Sequence, residues 1–420
     1  MVTYQKYVEF NNDKLPKKVK KIVICGLILR LVMLLIIAVV DGFQQEGFLS
    51  STIHADDWRY VEGAEIFARN ARNIFDFNAF TRAYALLEDW VGYSIAGKGL
   101  FSATPLWYFI CCFVTYIFRS GWVVRIITAC LGAVAMIYIY KFALYIYGRK
   151  TALLSVKLVA FLPYTVIFSC FAYKDHLMMT VMFYIFYKAA KFRRLKEISR
   201  SEIVMVALCA IMMMLLRSGF SVVILGVAFV IAADINLKRM NLKKTVYYGI
   251  IGAGVLVFVV AFWATIQFKL THYTVDRRES VATNTISFLM ISSVFDIYKL
   301  PFAYLFAAVS PVEPFCQTHT WYAVVANLNI IMCPIAVGSL FYAIQKKKDW
   351  NVYLGTMLLF VFTIVTSLNI FRHYYSLLPF LFIYFSEFHT KASGVKKITA
   401  YSISAAFALA LVAFYGRKFL

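Results

Sequence analysis

Between short basic runs, this chain is a succession of apolar windows, several of them close to twenty residues long and nearly free of charge. About twenty apolar residues are what an α-helix needs to cross roughly 30 Å of hydrocarbon. Inside hydrocarbon the backbone must satisfy its own hydrogen bonds, so only helices and closed barrels cross it. The short alternating segments of a barrel do not occur here. A hydrophobic share of 62% and a mean hydropathy of +0.73 exclude a soluble globular domain. The predicted fold is an all-α polytopic membrane protein with about 11–13 transmembrane helices.

Forty-three lysines and arginines against 21 acidic residues give a net charge of +22. In a soluble protein that excess would suggest nucleic acid. Here the cations cluster between apolar segments: Lys17 to Lys21, Lys191 to Arg200, Lys238 to Lys244, Lys346 to Lys348 and Lys396-Lys397. That is positive-inside anchoring with affinity for anionic membrane lipid, and no nucleic-acid partner is expected. The eight cysteines form no CxxC pair and mostly sit within apolar runs, as small packing residues rather than metal ligands or disulfides. No cleavable signal peptide is expected, because the first twenty residues are polar and basic.

The basic clusters orient the chain in the cell membrane. Residues 1–21 read as a cytoplasmic tail, and residues 22–420 as one transmembrane domain. The first span, Ile22 to Val40, carries Arg30 at its middle, a charge expected to face the bundle interior or a lipid phosphate. Residues 41–104 then form the first extracytoplasmic loop, too long for an idle connector, with amphipathic pieces suited to the membrane surface. Further apolar segments fall at 105–118, 122–147, 151–172, 177–190, 202–216, 219–235 and 246–266, and again at 322–345, 352–368, 374–388 and 398–415. Residues 286–320 are apolar but interrupted by prolines. Arg217 falls at the outer tip of a hairpin over 202–235. Parity constrains one stretch. Asp57 and Asp175 both face outward, three apolar segments lie between them, and Gly148-Arg149-Lys150 is cytoplasmic. A short or partly re-entrant 105–118 is one way to satisfy that parity, and the number of crossings between residues 105 and 172 stays open at this point.

Within the first loop, His54-Ala-Asp56-Asp57-Trp58-Arg59-Tyr60 concentrates a carboxylate pair with cations and aromatics where a helix leaves the bilayer. A helix N-terminus with Asp56 as its cap, followed by a helix over 61–72, accounts for the pair structurally. A functional site is the other reading. Four features in order carry a family resemblance: Asp56-Asp-Trp-Arg-Tyr60 with Glu62-Gly-Ala64; Thr104-Pro-Leu-Trp-Tyr108; Arg125 leading a span that ends Ile146-Tyr-Gly-Arg-Lys-Thr-Ala-Leu-Leu154, then Pro163; and Lys174-Asp175 a dozen residues later. Over residues 22–190 the chain resembles the GT-C membrane glycosyltransferases, specifically the protein O-mannosyltransferase and lipid A aminoarabinose transferase family. One proline of that family's Pro-Pro-Leu stretch is missing, and its C-terminal soluble domain has no counterpart here, so acceptor recognition is expected from loops.

The resemblance implies transfer of a sugar from a polyprenyl-phosphate donor of the undecaprenyl type to a cell-envelope glycan, lipid or protein acceptor, with inversion, on the outer face of the membrane. It implies Asp56 as the base and Asp57 as a second contact or the ligand of a divalent metal (Mg or Mn). Arg59, Tyr60, Arg125, Lys174, Asp175, Arg217, Arg372 and His373 are the candidates for phosphate and sugar. Arg372-His373-Tyr374 also resembles the Arg-x-x-x-Pro pattern of late spans in polysaccharide enzymes, with Pro379 displaced. Structural roles compete at each position: Lys174-Asp175 as an interfacial cap with a snorkelling lysine, Arg217 as a boundary residue, Arg30 as a packing or lipid contact. His176, His272 and His319 lack ligand-like spacing. A repeat-unit polymerase of a surface polysaccharide would place its arginines in large later loops, whereas the largest outer loop here is the first. A lipid-linked sugar transporter or flippase would call for repeat halves and intramembrane carboxylates, which are scarce.

Overall fold

The computed structural model describes residues 15–40, 42, 50–89, 106–239, 294–309, 328–344, 350–367 and 372–416, all helical or connecting, with no strand among them. The 246–266 segment, His272, His319, the proline-interrupted stretch beyond 309 and most of the basic tail lie outside the described residues. So do Gly97 to Pro105.

The first helix, α1 (Lys17–Val40), shows why these segments need a bilayer. Val19, Ile22, Gly26, Arg30, Leu34 and Ile37 recur every three or four residues and are buried on one face. On the opposite face Ile28, Val32, Leu35 and Val39 are equally apolar and open to the surroundings. A helix apolar all round belongs in the core of a large protein or across a membrane, and the open face of α1 has no protein over it among the described residues. Among the described residues α1, α5 (Trp122–Tyr147) and Gly394–Ala413 of α15 (Gly394–Gly416) have the length and composition to cross a membrane. Shorter apolar stretches, including α4 (Leu106–Phe118), 220–233 and 300–309, accompany them.

The stretch after α1 contributes α2 (Ser50–Asn70) and α3 (Phe77–Asp89). Gly148, at φ +94, lets α5 turn sharply into α6 (Arg149–Phe161). Then come α7 (Pro163–Phe168), α8 (Asp175–Leu195) and α9 (Arg200–Arg239). At about 1.5 Å per residue, the 40 residues of α9 would run about 60 Å, twice the hydrocarbon thickness. Arg217, with non-helical backbone (φ −164, ψ 84), breaks it into two shorter helices. The 202–235 hairpin expected from sequence is thus two helices that meet at its expected tip, Arg217. At the other end, Glu202 accepts hydrogen bonds from Lys188 and Lys191 (2.5 and 2.7 Å), tying the start of α9 to the end of α8. The later chain supplies α10 (Leu300–Val309), α11 (Cys333–Ile344), α12 (Trp350–Ser367), α13 (Arg372–Tyr375) and α14 (Leu378–Lys391). The core lies where α5, α8 and α14 meet: Phe380 packs on Phe142, Phe183 and Phe186 at 4.8 to 6.0 Å.

The sequence segment 151–172 is two helices, because Pro163 cannot donate to the carbonyl of Val159 and the chain is extended at Leu162. Arg30 repairs the break. Its guanidinium, 1% exposed, donates to Val159 O (2.8 Å), Ala160 O (3.2 Å) and, on its own helix, Gly26 O (2.9 Å). Thr165 adds a second donor to Val159 O at 2.8 Å. A cation at the C-terminal end of α6 also meets the negative end of that helix dipole. Arg30 faces the bundle interior as a helix cap.

Candidate functional site

The carboxylate pair does not begin a helix. With α2 starting at Ser50, Asp56 and Asp57 fall in its second turn, and the N-cap reading of Asp56 fails. Asp57 is fully buried. Its two oxygens accept from Arg125 of α5: Nη2 to Oδ2 at 2.6 Å, and Nε to Oδ1 and Oδ2 at 3.1 and 3.2 Å. The backbone N–H of Ala172 donates to Oδ1 at 2.5 Å. The carbonyl of the same residue accepts from the Trp107 indole of α4 at 2.9 Å. One ion pair and one peptide unit thus fasten α2 to the first turn of α5 and to the α7–α8 connection. Trp122 lies over the Arg125 guanidinium at 5.5 Å, leaving it 4% exposed.

Close packing confirms how tightly α2 is held. A Cβ on Gly63 would meet the Tyr108 ring at 3.0 Å, and one on Gly121 would collide with Val61 and reach Glu65 at 2.9 Å. Gly121→Ala is therefore expected to push α2 off the start of α5, costing about 1–3 kcal/mol. The check is a thermal melt of the purified variant, and an unchanged midpoint would contradict this packing.

Two residues beyond Ala172, the chain presents Lys174 and then Asp175, which opens α8 and is 2% exposed. Arg217, at the break in α9, lies near enough to act electrostatically on both, and its guanidinium rests 5.2 Å from the Phe220 ring. Burial, and then the like charge of Arg217, push the Lys174 ammonium down to about 8 against the opposing pull of Asp175. Next along α8, His176 Nε2 bonds the Tyr375 hydroxyl at 2.9 Å, and that hydroxyl donates to Thr165 O at 3.2 Å. Phe168 stacks on the Tyr375 ring at 5.3 Å. Tyr375 belongs to α13, so the turn that begins with Arg372 is tethered beside the start of α8.

Of the residues singled out in sequence, the structure brings Asp57, Arg125, Lys174, Asp175, Arg217 and the Arg372 turn to one end of the helix bundle. Arg59 and Tyr60 follow Asp57 on α2 and are half-buried. The side chains of Asp56, Arg372 and His373 lie outside the described residues. Sequence reasoning did not single out Trp107, the Ala172 amide or Tyr375. Trp107 and Tyr375 stand inside motifs quoted for other positions, and a backbone amide leaves no mark in a sequence.

A divalent metal does not fit Asp57 in this arrangement. Each of its oxygens already accepts two hydrogen bonds, and a second cation would face Arg125 directly. Among the described residues no three His, Cys, Asp or Glu side chains are grouped to hold a metal ion.

Residues 102–263 match the family model of dolichyl-phosphate-mannose-protein mannosyltransferases. No curated protein and no solved structure matches the chain. The matched residues contain Arg125, Lys174, Asp175 and Arg217, while Asp56, Asp57 and Arg372 fall outside them.

Proposed function

We propose that this chain, a GT-C-type membrane glycosyltransferase on the match over residues 102–263, moves a sugar from a polyprenyl-phosphate carrier to a cell-envelope acceptor on the outer face of the membrane. What carries the reading is the Asp57–Arg125–Ala172 latch, which holds the loop bearing Asp56 beside Lys174, Asp175 and Arg217. Asp56 is the base. It takes the proton of an acceptor hydroxyl as that oxygen bonds to the anomeric carbon; the bond from that carbon to the phosphate oxygen breaks, and the phosphate keeps the electron pair. Attack opposite the leaving group inverts the anomeric centre.

Charge counting favours a phosphate at this end of the bundle. Asp57 and Arg125 cancel each other, and Lys174 and Arg217 balance Asp175 and Asp56; once Asp56 has taken the acceptor proton, the two cations exceed Asp175 by one positive charge. A fixed cation in a poorly hydrated site stabilises the departing phosphate dianion. Arg372 is the candidate for a third contact, and Arg125, engaged by Asp57, serves as a positioning residue. The carrier's chain lies against the apolar outer faces of the spans, and the acceptor approaches from the loops.

The reading is tested with purified wild-type and Asp56→Asn protein, radiolabelled polyprenyl-phosphate sugars and crude envelope acceptors. Transfer by wild type alone, at equal thermal stability, is expected. Transfer by both proteins would move the chemistry toward Arg372 and the polymerase alternative. Flipping or uptake in vesicles without a covalent product would favour a transporter.

A pH profile gives an independent check. The Lys174 ammonium, down at about 8, is charged below that pH and neutral above it. Donor kcat/KM is therefore expected to hold below pH 8 and fall about tenfold per pH unit above it. In Lys174→Arg the fall disappears, because guanidinium keeps its proton. An alkaline limb that survives unchanged in that variant would assign the titration to another group.

A further inference from the structure

We propose that His176 and Tyr375 are positioning residues: the buried hydrogen bond between them sets the turn that begins at Arg372 against the start of α8, beside Lys174 and Asp175. The inference rests on Arg372 as a contact of the donor phosphate, the role given to it above.

Three elements meet at one hydroxyl. Tyr375 of α13 is 2% exposed, and its oxygen lies 2.9 Å from His176 Nε2 on α8 and 3.2 Å from Thr165 O on α7. A phenol has a single proton. Here it goes to the Thr165 carbonyl, so the fully buried imidazole donates from Nε2. That gives a task to a histidine whose place in the sequence suggests no ligand role. The Tyr375 ring is gripped as well: Phe168 stacks on it at 5.3 Å with the planes 22° apart, and Tyr164 lies 6.0 Å away. Thr165 is itself held, its hydroxyl donating to Val159 O and Leu162 O at 2.8 Å. The tether therefore ends on the same helix break that Arg30 caps, a rigid support.

The direction in which Arg372 emerges follows from topology. α8 runs side by side with α13 and α14 in the same sense: His176 meets Tyr375, and further along both, Phe183 meets Phe380 at 4.8 Å. The residues that precede the first contact therefore leave it at the same end. On α8 these are Lys174 and Asp175; on α13 they lead back to Arg372, about 4.5 Å along the helix from Tyr375. Asp175 lies near enough to act electrostatically on the Tyr375 hydroxyl. A helix of four residues has too few hydrogen bonds of its own to keep a direction. On one side the Leu377 N–H donates to Tyr374 O at 2.8 Å and joins the turn to α14. The Tyr375 hydroxyl supplies the hold from α7 and α8.

The test measures binding of undecaprenyl phosphate to the full chain in lipid nanodiscs, which needs no turnover. Tyr375→Phe keeps the stacked ring and loses the hydroxyl, and it is expected to bind about tenfold more weakly, as one lost hydrogen bond allows. Arg372→Gln is expected to lose at least as much. The double variant should bind no more weakly than Arg372→Gln, because the tether acts through the arginine. His176→Gln, whose amide N–H stands in for Nε2–H, is expected to stay within about twofold of wild type, and His176→Leu to match Tyr375→Phe. Losses that multiply in the double variant, or wild-type binding by Tyr375→Phe, would overturn the inference. So would a wild type that binds no undecaprenyl phosphate. Hydrogen exchange adds a readout free of ligand: the amides from Tyr374 to Leu377 should exchange faster in Tyr375→Phe, and unchanged exchange would remove the tether. Failure of the proposed function shows separately, as sugar transfer that survives Asp56→Asn while this binding cycle keeps its coupling.

Discussion

Asp57→Asn is expected to abolish sugar transfer and to lower the thermal midpoint sharply, in contrast to Asp56→Asn. The amide keeps the size of the carboxylate but removes its charge, so the Arg125 guanidinium is left buried against a neutral group. Breaking one side of a buried ion pair costs about 3–5 kcal/mol, because the remaining charge has lost its solvent and its partner together. The amide also presents its NH2 to donors: either the Ala172 N–H or one nitrogen of Arg125 then faces another donor. Arg125→Gln should be comparably damaging. If the pair acts as one unit, the double variant loses less than the sum of the two, with a coupling of about 1–3 kcal/mol. Melts and transfer assays on the four proteins decide it. Asp57→Asn that melts like wild type yet transfers nothing would move Asp57 from holding the loop to taking part in the chemistry.

Arg30→Met is the second large effect. Methionine matches the apolar stem but cannot serve the carbonyls that Pro163 and the turn at Leu162 leave without donors. Val159 retains Thr165, while no other donor to Ala160 O is seen among the described residues. An unsatisfied buried carbonyl costs about 1–3 kcal/mol, and the loss of the charge at the helix end adds about 1 kcal/mol more. The expected destabilisation is about 2–4 kcal/mol by these two terms together. Because α7 and the connection to Lys174 follow directly from this break, donor KM should rise as well. Arg30→Lys, shorter and with one nitrogen, should fall between wild type and Arg30→Met. A melt unchanged in Arg30→Met would mean that the break is satisfied from elsewhere.

The helical membrane fold was readable from segment length and charge placement alone, since the bilayer imposes both. Pro163 marked a break for a local reason, the missing N–H. What filled the break was not readable, because Arg30 lies 129 residues from the carbonyl it serves. Asp57 and Arg125 were each conspicuous as charges beside apolar runs, but nothing local pairs residues 68 positions apart. The start of α2 was misplaced because Ser50, Ser51 and Thr52 are as fit to begin a helix as Asp56 is, and side-chain chemistry alone does not choose between them. The parity of the first crossings raised a question over residues 105–118 that no local signal answers; the path of α4 along α2 follows from packing around Gly63 and Gly121, whose role as contact points has no signature in sequence.

The latch also dictates an order of assembly. Asp57 leaves the ribosome well before its partners, Arg125 by 68 residues and the Ala172 amide by 115. At about 5–20 residues per second, its carboxylate waits roughly 6–23 seconds before the last of them has been made. During that interval α2 lacks the partners it rests on, and the Asp57 carboxylate has only water to pair with. Docking it is a late, long-range event in biogenesis, so a truncated nascent chain that ends before residue 172 would carry every loop carboxylate discussed here and still lack a formed site.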